Sequence, residues 1–253
     1  MKLCAVHSFR RGTGKTTIAA NVATLLAVDS LRVALVDINF GAPALHLFFG
    51  LTGGELRFTL NDYLWGNCDI EDSAYDISRR LRVGTDLAGS LYLVPASPRY
   101  TEVRRMLRGG YFIELIGDSF QELSEKLDLD VLMVDTPTGL NEETLFAISR
   151  ADVLTVVLRP DQQDYLGTGV ILEVAERLDL PRSLVVLNEV PDLLDRGTMR
   201  ERTEDSLQHA VTAVLPHADE MLGLASSALF ALHYPEHPIT LSLKDLAAEI
   251  ARS

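Results

Sequence analysis

Short runs of consecutive apolar residues, rich in Val, Leu and Ala, recur between stretches of helical periodicity. Seven read as strands: Leu3 to His7, Arg32 to Asp37, Leu91 to Val94, Asp130 to Asp135, Val153 to Leu158, Leu184 to Asn188 and Val211 to Leu215. They do not alternate polar with apolar positions, the mark of parallel strands covered by helices on both faces. Helical periods occupy Thr16 to Val28, Tyr111 to Leu127, Asp161 to Leu178 and Leu243 to Ala251. The alternation predicts an α/β fold with a doubly wound, mostly parallel sheet and helices on both faces. Leu51 to about Ser90 is less regular and reads as an elaborated crossover.

The length of 253 residues, without repeats or a Pro/Ser-rich linker, predicts a single domain over 1–253. Hydrophobic residues at 47% and charged residues at 23% disfavour disordered, collagen-like and coiled-coil classes. No apolar run approaches the roughly 18 residues of a membrane span, and the N-terminal stretch lacks a signal-peptide core, so a cytoplasmic protein is expected. The net charge of −13 makes nucleic acid an unfavoured partner, DNA included. Cys4 and Cys68 form no Cys-x-x-Cys pair, and the six histidines show no ligand spacing. The chain has only four lysines, and one of them, Lys15, lies in a glycine-rich loop.

That loop, Ser8-Phe9-Arg10-Arg11-Gly12-Thr13-Gly14-Lys15-Thr16-Thr17, follows the first strand and opens the first helix. Backbone N–H groups of such a loop, added to the positive end of a helix, wrap polyphosphate. Lys15 suits the β- and γ-phosphates, and the Thr16 hydroxyl suits Mg²⁺. The pattern G-x-x-x-x-G-K-[ST] is not met in full, because Phe9 stands at its first glycine.

Arg10-Arg11-Gly12-Thr13-Gly14-Lys15-Thr16-Thr17 resembles the K-G-G-x-G-K-T-[ST] loop of the MinD/ParA family of deviant-Walker P-loop ATPases. Four further segments resemble that family in order. Asp37-Ile38-Asn39 is similar to its D-x-D switch, Asp135-Thr136-Pro137-Thr138-Gly139 to its Walker B and second switch, Asn188 to the strand-end asparagine that reads adenine, and Pro216 to the loop closing over the base. The resemblance implies ATP and Mg²⁺ as cofactors, with Thr16 and Asp135 on the metal. It implies that Asp37 positions or activates the attacking water, that the Gly139 amide approaches the γ-phosphate, and that Arg10 replaces the signature lysine reaching the nucleotide of a partner subunit.

The function so implied is slow ATP hydrolysis in a switch that forms a homodimer with ATP, positions or partitions a cargo, and is stimulated by a protein partner. Three positions depart from the pattern. Arg10 keeps the charge of the signature lysine in a flatter, bidentate form; Arg11 replaces a glycine that would permit close approach of the partner chain; Asn39 replaces a carboxylate with an amide that cannot accept a proton. Together they motivate a second reading, a nucleotide-binding regulatory or scaffold protein with little hydrolysis. A metal-cluster carrier would need paired interfacial cysteines, and the fold-sharing tyrosine kinases would need a tyrosine-rich tail, whereas here only Tyr234 falls in the last 20 residues.

Arg79, Arg80, Arg82, Arg99, Arg104, Arg105 and Arg108 form the one basic concentration and read first as a solvated face, second as a surface for DNA or protein. The last helix carries Leu243, Leu246, Ala247 and Ile250 on one side, a core-packing pattern; with Lys244 and Arg252 as its only basic residues it does not read as a membrane-targeting helix.

Overall fold

A computed structural model describes residues 1–81, 87–109 and 111–252. Its centre is an eight-stranded sheet made of β1 (Lys2–His7), β2 (Arg32–Asp37), β3 (Tyr75–Asp76), β4 (Ser90–Val94), β5 (Val131–Asp135), β6 (Val153–Leu158), β7 (Arg182–Val190) and β8 (Val211–Pro216). The spatial order is β3-β4-β2-β5-β1-β6-β7-β8. Every pairing is parallel except β3 with β4, at one edge. All seven expected strands form; β3 is added inside the crossover between Leu51 and Ser90.

The longer helices are α1 (Lys15–Val28), α2 (Tyr100–Met106), α3 (Glu114–Leu127), α4 (Glu142–Arg150), α5 (Gln162–Arg177), α6 (Arg196–Leu207) and α7 (Pro238–Arg252). Side-chain caps fix three starts by accepting otherwise unpaired first-turn N–H groups: Asn141 accepts from Thr144 N, Asp161 from Gln163 N and Asp195 from Thr198 N. The helix expected from Tyr111 begins at Glu114 instead, because Tyr111 leaves the helical path to pack edge-on against Phe40 at 5.5 Å. The terminal helix begins earlier than expected, at Pro238, whose fixed φ suits a first helical position.

The strands carry apolar side chains on both faces because two cores flank the sheet. α1 and α7 cover one face through Ile18, Leu26, Leu243, Leu246 and Ile250. Residues of α3 to α6, including Ile116, Phe120, Ile148, Ile171 and Leu207, cover the other. The expected inward face of α7 is therefore met. Among the described residues no helix is long and apolar enough to cross a membrane.

β5 lies between β1 and β2, with Val6 and Asp37 both in register with Asp135. The sheet changes direction of winding here, the place where α/β sheets gather ligands at the carboxyl ends of their strands. The loop after β1 and two carboxylates, 98 positions apart in the chain, are thus delivered to one spot.

Candidate nucleotide site

The loop from Ser8 to Gly14 turns through two left-handed positions, Gly12 (φ 78°) and Gly14 (φ 87°). Both are glycines, the residues that take this conformation without steric cost. Arg11 is not among the left-handed positions, so the arginine fits there without backbone strain. Gly14 is further constrained by space: a Cβ there would lie 2.3 Å from Asn188 Nδ2. No backbone carbonyl among the described residues takes the N–H groups from Gly12 to Thr17. A run of free amides at a helix N-terminus is what a polyphosphate requires.

Inside this cradle the ammonium of Lys15 lies 2.5 Å from Asp135 Oδ1, with both side chains buried. The Thr16 hydroxyl donates to the other carboxylate oxygen, Asp135 Oδ2, at 2.8 Å. Lys15, Thr16 and Asp135, expected to act together, are in direct contact. The hydroxyl and carboxylate oxygens are hard ligands suited to Mg²⁺. The cleft measures about 290 Å³ and is lined by Ser8, the 10–17 loop, Asn39, Ala42, Ala44, Phe48, Thr138 and Ser226.

Asp37 is fully buried beside this pair. Its Oδ1 accepts from Asn39 N at 2.9 Å, and its Oδ2 from Ala44 N and Leu45 N at 3.3 and 3.4 Å. Burial, reinforced by the neighbouring Asp135 carboxylate, pushes the Asp37 carboxyl up to about 7. The Asn39 amide donates to Ala42 O at 3.1 Å, bracing the turn. Raising the pH from about 4 to about 7 therefore ionises Asp37 first in the unfolded chain, so this group lowers folding stability across that window. Relative to wild type, Asp37→Asn is expected to gain stability between pH 4.5 and 7.5, read from urea unfolding at the two values. An unchanged difference would show that Asp37 titrates like an ordinary carboxylate.

Of the remaining expected residues, Asn188 and Gly139 touch the phosphate loop, and Pro216 is placed by its strand pairing. Asn188, two residues before the end of β7, donates to Thr13 O at 2.8 Å; Pro216 closes β8 opposite Val190. The Gly139 N–H donates to Ser8 O at 3.3 Å, binding the second switch to the phosphate loop. The guanidinium of Arg10 is directed to α5, with Nη1 2.8 Å from Asp161 and 3.4 Å from Asp164.

Two contributors were not anticipated. Asp161 was legible only as the start of a helical period, and its contact with Arg10 depends on a chain crossing of 151 positions. His7 is buried and joined through Nδ1 to Thr136 Oγ1 at 2.7 Å; Thr136 donates onward to Val6 O, so Nδ1 carries the proton. Burial first, and then the Lys15 charge, pushes His7 down to about 3, keeping a second cation out of the site.

Part of the arginine concentration is paired or stacked, and part of it, Arg104, Arg105 and Arg108, lines one open hollow with Thr101. Arg80 pairs with Glu55, Arg99 with Glu102, and Arg105 stacks 3.9 Å over Trp65, while Arg82 lies outside the described residues.

The CobQ/CobB/MinD/ParA nucleotide-binding-domain profile matches residues 4–222. The chain belongs to this family. An uncharacterized ATP-binding protein of Methanocaldococcus jannaschii is 29% identical over 97% of this chain and 86% of its own length. The septum site-determining protein MinD of Bacillus subtilis is 26% identical over 97% of this chain and 87% of its own. Among solved structures, MinD of Pyrococcus horikoshii complexed with Mg-ADP superposes with a TM-score of 0.81 at 22% identity, covering 98% of this chain and 95% of that one. The family is one of P-loop ATPases that bind ATP with Mg²⁺.

Proposed function

We propose that this family member is a slow ATPase that works as a nucleotide-dependent dimer switch and positions or partitions a cellular cargo. Its similarity to a septum site-determining protein over nearly its whole length supports the positioning role. The observation that carries the switch is the placing of two cations: Lys15 lies inside the cleft, whereas Arg10 stands at its rim, one-third exposed and held by side chains of α5.

In this reading the amides of 12–17 and Lys15 hold the phosphates, and Asn188 and Pro216 border the base. Bound Mg²⁺ would neutralise phosphate charge, held on the side of Thr16 and Asp135. Asp37, once ionised, accepts the proton of the attacking water. Its oxygens are engaged by three amides of its own loop and Asn39 adds no carboxylate, which makes basal turnover slow and leaves room for a stimulating protein partner.

The retention of Arg10 by Asp161 and Asp164 within one chain favours the second reading, a regulatory scaffold that does not switch. Light scattering with ATP, ADP and a non-hydrolysable analogue separates the two. The switch requires dimer with ATP and the analogue, monomer with ADP, and loss of the dimer in Arg10→Ala with nucleotide affinity nearly unchanged. Monomer throughout, or dimer regardless of nucleotide, would establish the scaffold.

A further inference from the structure

α2 packs on the body of the protein through little of its surface. Met106 is its one buried residue, whereas Tyr100 is 75% exposed and Leu107, at the helix end, 69%. The chain keeps turning past the end, with Arg108 N donating to Arg105 O at 3.1 Å. Tyr100, Arg104, Leu107 and Arg108 therefore fall at i, i+4, i+7 and i+8, on one outward face. Arg104, Arg105 and Arg108 are exposed and line, with Thr101, an open hollow of about 390 Å³. Arg105 is fixed there, its guanidinium 3.9 Å over the Trp65 ring, and a stacked guanidinium keeps its N–H edge available. Glu102, the one carboxylate of α2, pairs with Arg99 instead. Among the described residues no carboxylate lies within ion-pair distance of Arg104, Arg105 or Arg108.

We infer that this face of α2 docks an acidic segment of a protein partner, one that carries apolar residues beside its carboxylates. Charge complementarity is the first argument. In a chain of net charge −13, three arginines without carboxylate partners inside five positions are a local exception, and a guanidinium grips a carboxylate through two parallel bonds. Arg104 and Arg108 stand about 6 Å apart along the helix axis, which matches carboxylates at i and i+4 of a partner helix. The second argument is the apolar half of the face. Tyrosine and arginine exposed together are the composition of protein interface centres, and Tyr100 and Leu107 gain burial only against apolar side chains. A nucleic acid duplex offers a phosphate backbone at that place. It would also bring one charge about every 1.7 Å toward a strongly acidic chain. No residue of α2 lines the nucleotide cleft, so the inference does not rest on the switch.

The test is fluorescence anisotropy on the full chain. Its probes are a labelled amphipathic peptide with Glu at i and i+4 and Leu along the same side, the same peptide with Gln in place of Glu, and a short DNA duplex. Wild type is expected to bind the acidic peptide at least about tenfold more tightly than either other probe. The double variant Arg104→Glu with Arg108→Glu should lose at least about tenfold in affinity for it, and Leu107→Ser should lose several-fold. Arg196→Glu with Arg202→Glu makes the same change of charge at exposed positions of α6 and should alter binding less than about twofold. All variants should keep ATP affinity within about threefold, which also reports that they fold. Absence of acidic-peptide binding by wild type, or an equal loss in the α6 variant, would overturn the inference. Tighter binding of the duplex, lost in the α2 double variant, would overturn it in favour of a nucleic acid surface. Failure of wild type to bind ATP would sink the nucleotide reading and leave the peptide result to decide this one.

Discussion

Lys15→Ala is expected to remove detectable ATP binding at millimolar nucleotide while leaving a folded but less stable chain. A charge-assisted hydrogen bond is worth up to about 3 kcal/mol, so losing it alone weakens affinity by roughly 150-fold. The ammonium is also the partner of Asp135, and both groups are buried. Removing one half of such a pair strands the other, at about 3 to 5 kcal/mol. The double variant Lys15→Met with Asp135→Asn discards both charges and should recover most of that stability without recovering binding. Calorimetric titration and urea unfolding on the same preparations separate the two effects. Retained affinity in Lys15→Ala would mean that the loop is not the phosphate site.

The second large effect concerns turnover. Isolated wild-type protein is expected to hydrolyse ATP below about one per minute, against an enzyme median near 10 s⁻¹. Asp37→Ala should abolish what remains, with ATP affinity changed by no more than a few-fold. General-base catalysis is commonly worth about a hundredfold or more, which places the variant below detection in a steady-state phosphate-release assay. The rate of wild type should rise with pH through the neutral range, because the buried carboxyl must lose its proton to act and its ionisation is displaced to about 7. Rapid turnover that survives Asp37→Ala would place the base elsewhere.

The strands were legible because parallel strands buried on both faces leave unbroken apolar runs, and all seven runs form strands. β3 has only two residues, Tyr75 and Asp76, and no periodicity can be read from a pair. α6 escaped for a different reason. Its buried positions are Met199, Thr203 and Leu207, a single narrow stripe with a threonine in the middle, so the helix reads as polar throughout. Tyr111 misled in the opposite direction, since its apolar ring serves packing against Phe40 and not a helical turn.

In the site, the spacing of Gly12, Gly14, Lys15 and Thr16 carried the chemistry because local backbone geometry creates the cradle. The meeting of that cradle with Asp37 and Asp135 followed from each strand ending in a carboxylate. What no local pattern encodes is the seating of Arg10 and Phe9 on α5. Those contacts join positions more than 150 apart, and they exist only because β6 lies beside β1 and delivers α5 next to the loop.

In the proposed reading, the pairing of Lys15 with Asp135 would also make the resting cleft a coincidence detector. An anion alone can draw the ammonium away only by abandoning a buried carboxylate, and a divalent cation alone can take the carboxylate only by abandoning a buried ammonium. Either event by itself meets the opposition of the half left behind. In the proposed reading, polyphosphate arriving together with its metal would satisfy both halves at once, so free phosphate and free magnesium would each be held less well than the two together.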